Sequence, residues 1–444
     1  MSDPARPGHA SAPGPLVLVT LGLLAAAAPL GTDLYLAAFP QMTEALATSA
    51  VGVQLSLTTF LVGAGVGQAL FGPWSDRAGR MLPLLVGLTV YVAAGVVAAL
   101  APTITVLVLA RLLQGIGGSA GMVISRAMIL DRTTGAGAAQ GLNIMMAITG
   151  IAPIVAPLIG SLLVGPLGWR GLLWVVAAIA GLSLLATLLV LRESLPAHER
   201  QRRREDHQPQ AWRSLLTPAF ISGVIAFAST MGVLMSYISA SPFVYQEILG
   251  LSEVAYGTAF AANATGMSVA TLSSARLVRR VDVGTLAATA QRVSGAGVVL
   301  VLTCALLGIH SWPLMVALFV SIAPLGMVLG NITALALSSV SPRATGLASA
   351  VLGMMQFAVA GTVAGLVGVG GETTAVPMAV VMTTCLLVAT TGLWVMRRAL
   401  AGGGPRHHRR PTHASSGPGS PPREHAAADP RAALTDHAGG PHQG

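Results

Sequence analysis

Two residues of opposite charge stand inside long apolar runs. Asp33 lies in a run that begins at residue 15, and Arg111 in one that begins at residue 104. A charge in the hydrocarbon of a bilayer is costly and usually faces a cavity or a partner. Asp33 precedes Pro40 by seven residues, and Arg111 follows Thr103 by eight. At about 1.5 Å per residue, both should lie roughly 10–12 Å from the same ends of their helices. The spacing predicts that they face one cavity. Burial favours the neutral form of a carboxylate, and a nearby arginine favours the charged form. Such a pair suits the coupling of proton movement to another process. The alternative is a purely structural ion pair locking two helices together. A third charge, Arg292, lies close enough to the end of its run to reach the headgroups.

Other chemistry is poorly served. All ten histidines fall in tails and between apolar runs, and there is neither a Walker-type phosphate loop nor an HExxH pair. Gly115, Ile116, Gly117 and Gly118 form a glycine-rich stretch, but inside an apolar run, where glycine serves close helix packing. Cys304 and Cys385 also lie in apolar runs, without the spacing of a metal site. The sequence therefore predicts no enzyme, no metal site and no bound cofactor; a proton is the expected coupling ion.

The elements that hold these residues follow from composition. The 444-residue chain is 53% hydrophobic and 9% charged, with a mean hydropathy of +0.73. Soluble domains carry about 25% charged residues. Twelve runs are long enough to cross a bilayer, which takes about 20 residues of helix. They are 15–38, 51–71, 81–101, 104–125, 141–165, 169–191, 217–238, 253–275, 284–308, 312–336, 345–368 and 374–396. The first is too long for the core of a signal peptide and should remain as an anchor.

The net charge of +9 comes from 25 arginines and no lysine. These arginines do not suggest nucleic-acid binding. They alternate with the spans: 22 lie in the two tails and every second connection, whereas the other connections hold only Arg170. By the positive-inside rule, both termini are cytoplasmic and the protein is multi-pass in the cytoplasmic (inner) membrane.

The expected organisation is a tail at 1–14, six spans over 15–191, a linker at 192–216, six spans over 217–396 and a tail at 397–444. The linker is arginine-rich and suited to an anionic leaflet. The last tail, rich in Gly, Pro, His and Arg, has the composition of a disordered segment. The halves echo each other. YLAAFP places Tyr35 five residues before Pro40, and YISASP places Tyr237 five before Pro242. GPWSDRAGR follows the second span, and SSARLVRRVDVG follows the eighth. Two related six-span halves with a site between them form the plan of many secondary transporters.

GPWSDRAGR resembles the loop signature of the major facilitator superfamily, carried here by Gly72, Asp76, Arg77, Gly79 and Arg80. LARLLQGIGGSAG resembles the helix 4 signature through Arg111, Gln114 and Gly115. GIAPIVAPLIGS resembles the helix 5 antiporter signature through Pro157 and Gly160, with Ala156 and Ser161 in place of two glycines. PLGTDLYLAAFPQM, IAPIVAP, SPFVY and RLVRR bring the chain close to the Bcr/CflA-type drug-resistance exporters over about residues 15–400, although Ala37 stands where that family often has proline.

The resemblance implies an all-α membrane protein of two six-helix bundles. It also implies proton-coupled efflux of small drug-like or antibiotic molecules by alternating access. Asp33 would carry the proton, Arg111 would tune it, and the 72–80 loop would latch one state. Tyr35, Asn143, Met231, Met235, Tyr237, Asn263, Asn331 and Gln356 are candidates for the cavity lining, because methionines and aromatics suit an apolar pocket. The expected partners are a small-molecule drug, protons and the lipid bilayer, with the monomer as the working unit. A proton-coupled importer of a small metabolite is the alternative; a multi-pass enzyme and a non-transporting sensor are weaker rivals.

Overall fold

The computed structural model describes residues 14–133, 135–198, 200–201, 215–341, 344–368 and 374–402, with only the backbone given at 135, 136 and 139. The expectations for the first tail, most of the linker and nearly all of the last tail concern residues outside this set.

Among the described residues the chain is helical, without strands. The elements are α1 (Pro15–Asp33), a 3-10 turn (Leu36–Ala38), α2 (Phe39–Ala45), α3 (Ala50–Ala78), α4 (Met81–Ala99), α5 (Ile104–Arg132) and α6 (Gly135–Val190). They continue with α7 (Pro218–Phe243), α8 (Glu253–Leu277), α9 (Val283–Leu306), α10 (Trp312–Ile322), α11 (Leu325–Ser338), α12 (Thr345–Gly368) and α13 (Val376–Gly402). Ten apolar segments are long enough to cross a membrane. One of them contains two helices, because α6 turns at Gly168, where φ is 63°. The less apolar α8 adds another crossing. With α1–α2 and α10–α11 each counted as one interrupted span, the described residues supply twelve candidate crossings.

Several helices outrun their apolar stretches. α3 continues to Ala78 and α5 to Arg132. Hydropathy marks where hydrocarbon ends, whereas a helix can run on through the headgroups with polar side chains. GPWSDRAGR is thus not a nine-residue loop. Gly72 to Ala78 are helical, and the turn is confined to Gly79 and Arg80. Gly79 has φ 97°, which favours glycine. At Gly72 a Cβ would meet only Val123, 3.8 Å away, so packing there does not demand glycine.

The first span is broken in its second half. The last bond of α1 runs from Leu34 N–H to the Leu30 carbonyl, and Tyr35 leaves helical geometry at ψ 0°. Pro40 has no N–H to continue a helix and sits instead in the first turn of α2. In α7, Pro242 likewise cannot bond the Ile238 carbonyl. The Ser241 hydroxyl donates to that carbonyl at 3.1 Å, and the helix continues into a π turn over Val244–Ile248.

The buried apolar side chains show how the halves meet. At the end carrying few arginines, one core joins residues of both halves, including Phe39, Leu57, Phe243 and Ala364. At the arginine-rich end the cores are separate. One gathers Leu21, Leu84 and Met128 from the first six spans, and the other gathers Phe220, Ile332 and Met396 from the last six.

Candidate functional site

The break after Asp33 shapes the site. Leu34 ends the ladder, and the Gly31 carbonyl accepts a hydrogen bond from Arg111 Nη2 at 2.8 Å. A cation at the carbonyl end of a helix is electrostatically favoured. Arg111 is fully buried, and its Nη1 donates to Gln114 Oε1 at 2.5 Å. Its guanidinium carbon lies 4.4 Å from the ring centres of both Tyr35 and Phe60. Two rings and a carbonyl therefore support this cation, a combination that holds charge in a dry site. Its Nε has no partner.

Asp33 is the single buried acid among the described residues. Its Oδ1 accepts a hydrogen bond from the Thr32 hydroxyl at 2.8 Å. No cation comes within 4.0 Å, and the two ion pairs among the described residues both belong to Arg80. The ion pair between Asp33 and Arg111, the alternative reading, is therefore not formed, and of the two only Asp33 lines the cavity between the halves. The span continues to Ala45, placing Asp33 about 18 Å of helix from its end, whereas Arg111 stands about 10 Å from Ile104. Counting from Pro40, which is not the end of the span, made the two depths look equal.

Asp33 faces a cavity of about 210 Å³ between the halves. From the first half come Pro29, Thr32, Asp33, Phe60, Met122 and Pro153. From the second come Met231, Met235, Tyr237, Phe260, Asn263, Met267, Gln356 and Phe357. The wall is apolar, with one carboxylate and no base. Four methionines give it adaptable sides.

Five expected lining residues are there: Met231, Met235, Tyr237, Asn263 and Gln356. Three are not. Tyr35 lies beyond the helix break, with its ring against Arg111 and its hydroxyl 3.0 Å from Ser56 Oγ. Asn143 is exposed, ten residues or about 15 Å of helix from the lining residue Pro153. Asn331 is buried against α8, where its Nδ2 donates to Ser274 Oγ at 2.9 Å.

Two polar atoms at the cavity lack partners. Asn263 Nδ2 donates to the Ala259 carbonyl at 2.9 Å and to the Tyr245 hydroxyl at 3.4 Å, leaving Oδ1 unpaired. The Ala259 carbonyl can only accept, which fixes the amide orientation. The Tyr237 hydroxyl also has no hydrogen-bond partner.

Every side-chain hydrogen bond that crosses between the halves among the described residues lies at the arginine-poor end. Gln41 Nε2 donates to Glu253 Oε1 at 2.7 Å, Gln54 Nε2 to the Ser239 carbonyl at 3.0 Å, and Gln246 Nε2 to the Ala37 carbonyl at 3.2 Å. Close packing supports the same end. A Cβ on Gly160 would come 1.9 Å from the Leu34 carbonyl oxygen, and one on Gly115 would come 2.0 Å from the Phe60 carbonyl oxygen. Pro157 stands beside the contact of Ser161 with Gly257.

At the arginine-rich end, Arg80 is the centre of a charged network. Its Nε lies 2.8 Å from Asp131 Oδ2, and its Nη1 lies 2.8 Å from Asp76 Oδ1. Burial alone would push the Arg80 guanidinium down; Asp131 and Asp76 outweigh this and hold it above its ordinary value. Glu193 accepts from the backbone N–H groups of Arg80 at 2.9 Å and Met81 at 3.1 Å, at the start of α4. Partial burial would push this carboxyl up, but the N–H groups of Arg80, Leu195 and Met81 and the charge of Arg200 hold it below the ordinary range. Hydropathy gave no sign of Glu193 or Asp131; only the fold brings them to the turn.

The family model described as Major Facilitator Superfamily matches residues 21–365. The chain belongs to this superfamily. Like other major facilitator transporters, it is a multi-pass membrane protein. It is 34% identical over 388 residues to an uncharacterized MFS-type transporter, YdgK, of Bacillus subtilis, covering 86% of this chain and 95% of that protein. It is 27% identical over 383 residues to a bicyclomycin resistance protein homolog of Haemophilus influenzae, covering 86% and 96%. It is 28% identical over 236 residues to the multidrug resistance protein MdtL of Escherichia coli, covering 53% and 60%. Among solved structures, the nucleoside transporter NupG (D323A mutant) aligns with a TM-score of 0.66 at 14% identity, over 86% of this chain and 99% of that one. A bacterial homolog of the human lysosomal transporter Spinster aligns at 0.63 and 18%, over 87% and 96%. The structural likenesses show a shared fold.

Proposed function

We propose that this major facilitator transporter is a carrier, not an enzyme, that exports small, largely apolar drug-like molecules in exchange for protons. The observation that carries the reading is the cavity. It lies between the halves, its wall is apolar and adaptable, and its one charged group is Asp33, without a cation within 4.0 Å. Relatives named for bicyclomycin resistance and multidrug resistance support the substrate class.

Asp33 can exchange a proton, whereas Arg111 is committed to Gly31, Gln114 and two rings. A drug lodged beside Asp33 changes which protonation state the cavity favours, and the conformational change then exposes that state to the other side. A ligand shifts such an equilibrium only by its differential affinity for the two states. Arg111 ties α5 to the broken end of α1, so movement of one is transmitted to the other. Arginine placement supports cytoplasmic termini. With that orientation, this conformation is closed toward the outside by Gln41, Gln54 and Gln246, and its separate cores lie on the cytoplasmic side. The turn at Gly79 and Arg80 serves as a latch that steadies the first bundle during the cycle. The cavity is smaller than the roughly 300–1,000 Å³ of ordinary small-ligand sites, so drug entry widens it. Tyr237 and Asn263 Oδ1 then gain partners.

The test is expression in an efflux-deficient bacterial host challenged with a panel that includes bicyclomycin and chloramphenicol. The reading expects a raised inhibitory concentration for at least one drug, abolished by collapse of the proton gradient. Proton-dependent uptake of a metabolite with no drug protection would overturn it.

A further inference from the structure

The two turns that echo each other end differently. In the first half, Arg80 is enclosed by Asp76 and Asp131, while Glu193 caps the turn. In the second, Arg276, Arg279 and Arg280 are all exposed and form no ion pair among the described residues. Asp282 stands close in sequence but is occupied at the start of α9. Its Oδ2 accepts from the Thr285 N–H at 2.8 Å and from the Thr285 hydroxyl at 3.2 Å.

The three arginines share one exposed surface depression at the end of α8 with Leu272, Ala275 and Leu277. Leu272 is 62% exposed and stands one turn before Arg276, so an apolar side chain adjoins the charges on the hydrocarbon side. α8 has 25 residues, or about 37 Å of helix, longer than the roughly 30 Å hydrocarbon layer. Its arginine-bearing end therefore lies at headgroup level. Three guanidinium groups at that level, with the exposed Leu272 one turn before Arg276 on the hydrocarbon side, match a lipid with a phosphate head and an acyl chain. Guanidinium forks bind phosphate oxygens in pairs. The positive-inside rule calls for charge at this end but not for three arginines within five residues that form no ion pair among the described residues.

We propose that Arg276, Arg279 and Arg280 form a binding site for the phosphate headgroup of an anionic phospholipid, with the acyl chain along Leu272. The lipid supplies for the second-half turn the negative charge that Asp76 and Asp131 supply for the first. The site is independent of the drug-export reading.

The test is native mass spectrometry of the full chain, purified in detergent and offered equimolar dioleoylphosphatidylglycerol and dioleoylphosphatidylcholine. Wild type should retain the anionic lipid preferentially. Each arginine near a membrane surface strengthens such binding by on the order of five-fold. Arg276→Gln, Arg279→Gln and Arg280→Gln together should remove the preference, whereas lysine at all three positions should keep most of it. Arg397→Gln with Arg398→Gln, at the same end of the bundle, should leave it intact. An unchanged preference in the triple glutamine variant would overturn the proposal, as would equal loss in the Arg397/Arg398 control. Displacement of the lipid by millimolar inorganic phosphate would assign the site to a free anion instead. A preference that emerges only after Glu205→Gln and Asp206→Asn would assign it to the chain's own linker. Both results count against a lipid site.

Discussion

Gly160→Ala tests whether the broken first span is held by close packing. The added Cβ would stand 1.9 Å from the Leu34 carbonyl oxygen, whereas ordinary contact begins near 3.4 Å. The obstacle is backbone, so it cannot swing aside as a side-chain end would. α6 and the first span must separate locally by about 1.5 Å, next to Asp33. Overpacking of this kind costs about 1–3 kcal/mol. The better helix propensity of alanine offsets about 1 kcal/mol of that. Gly150→Ala, on the same limb of α6, is the control: Gly150 is exposed and nothing lies within 4 Å of its Cβ position. Thermal unfolding of the purified proteins, read by loss of the monodisperse peak in size-exclusion chromatography, should show Gly150→Ala unchanged or more stable. Gly160→Ala should melt lower and lose drug protection at equal membrane abundance. Equal melting and equal protection for the two variants would refute the packing argument.

Tyr237→Phe removes a buried hydroxyl without a partner, so the melting temperature should hold or rise, by an amount equivalent to about 1–2 kcal/mol. A clear fall would show that the hydroxyl is paired. Arg111→Lys keeps the charge but loses the planar group between Tyr35 and Phe60. It should destabilise the protein by about 2 kcal/mol or more in thermal unfolding, and wild-type stability would argue against the ring contacts. Glu193 is held below its ordinary value near 4.5, so its stabilising contribution is present above that pH and is lost as pH falls through the lowered folded value. Acid melting curves should therefore fall more steeply below about pH 4.5 for wild type than for Glu193→Gln. Parallel curves would remove Glu193 from the turn's support.

Much of the fold was legible because a bilayer imposes length and polarity on every span. The twelve runs, the even division and the arginine pattern all follow from that solvent. The interruption at residues 34–38 was harder to see, because Leu, Tyr, Leu, Ala and Ala are as apolar as any helix. Pro40 was the only local hint, and it acts several residues before itself. Asp33 stood out as a charge in hydrocarbon. Its separation from Arg111 did not, because residue counting gives depth along a helix but not the direction of a long side chain. Gln356 and Asn263 were found at the cavity by polarity and position. Asn331 had the same polarity but is used against Ser274. The signature at 72–80 resembled a loop because it is polar, yet most of it is helix beyond the hydrocarbon. Asp131 and Glu193 come from distant positions and meet Arg80 only through the fold.

The central claim is that Asp33 exchanges the proton that drives export. The most direct measurement is drug-induced proton release from the purified protein, using a drug to which the wild type confers protection. Wild type should release protons on drug addition at low buffering capacity. Asp33→Asn has the shape of the protonated form but cannot titrate; it should bind the neutral drug, as seen by thermal shift, and release none. Proton release at the wild-type level from Asp33→Asn would contradict the account and assign the coupling to another group.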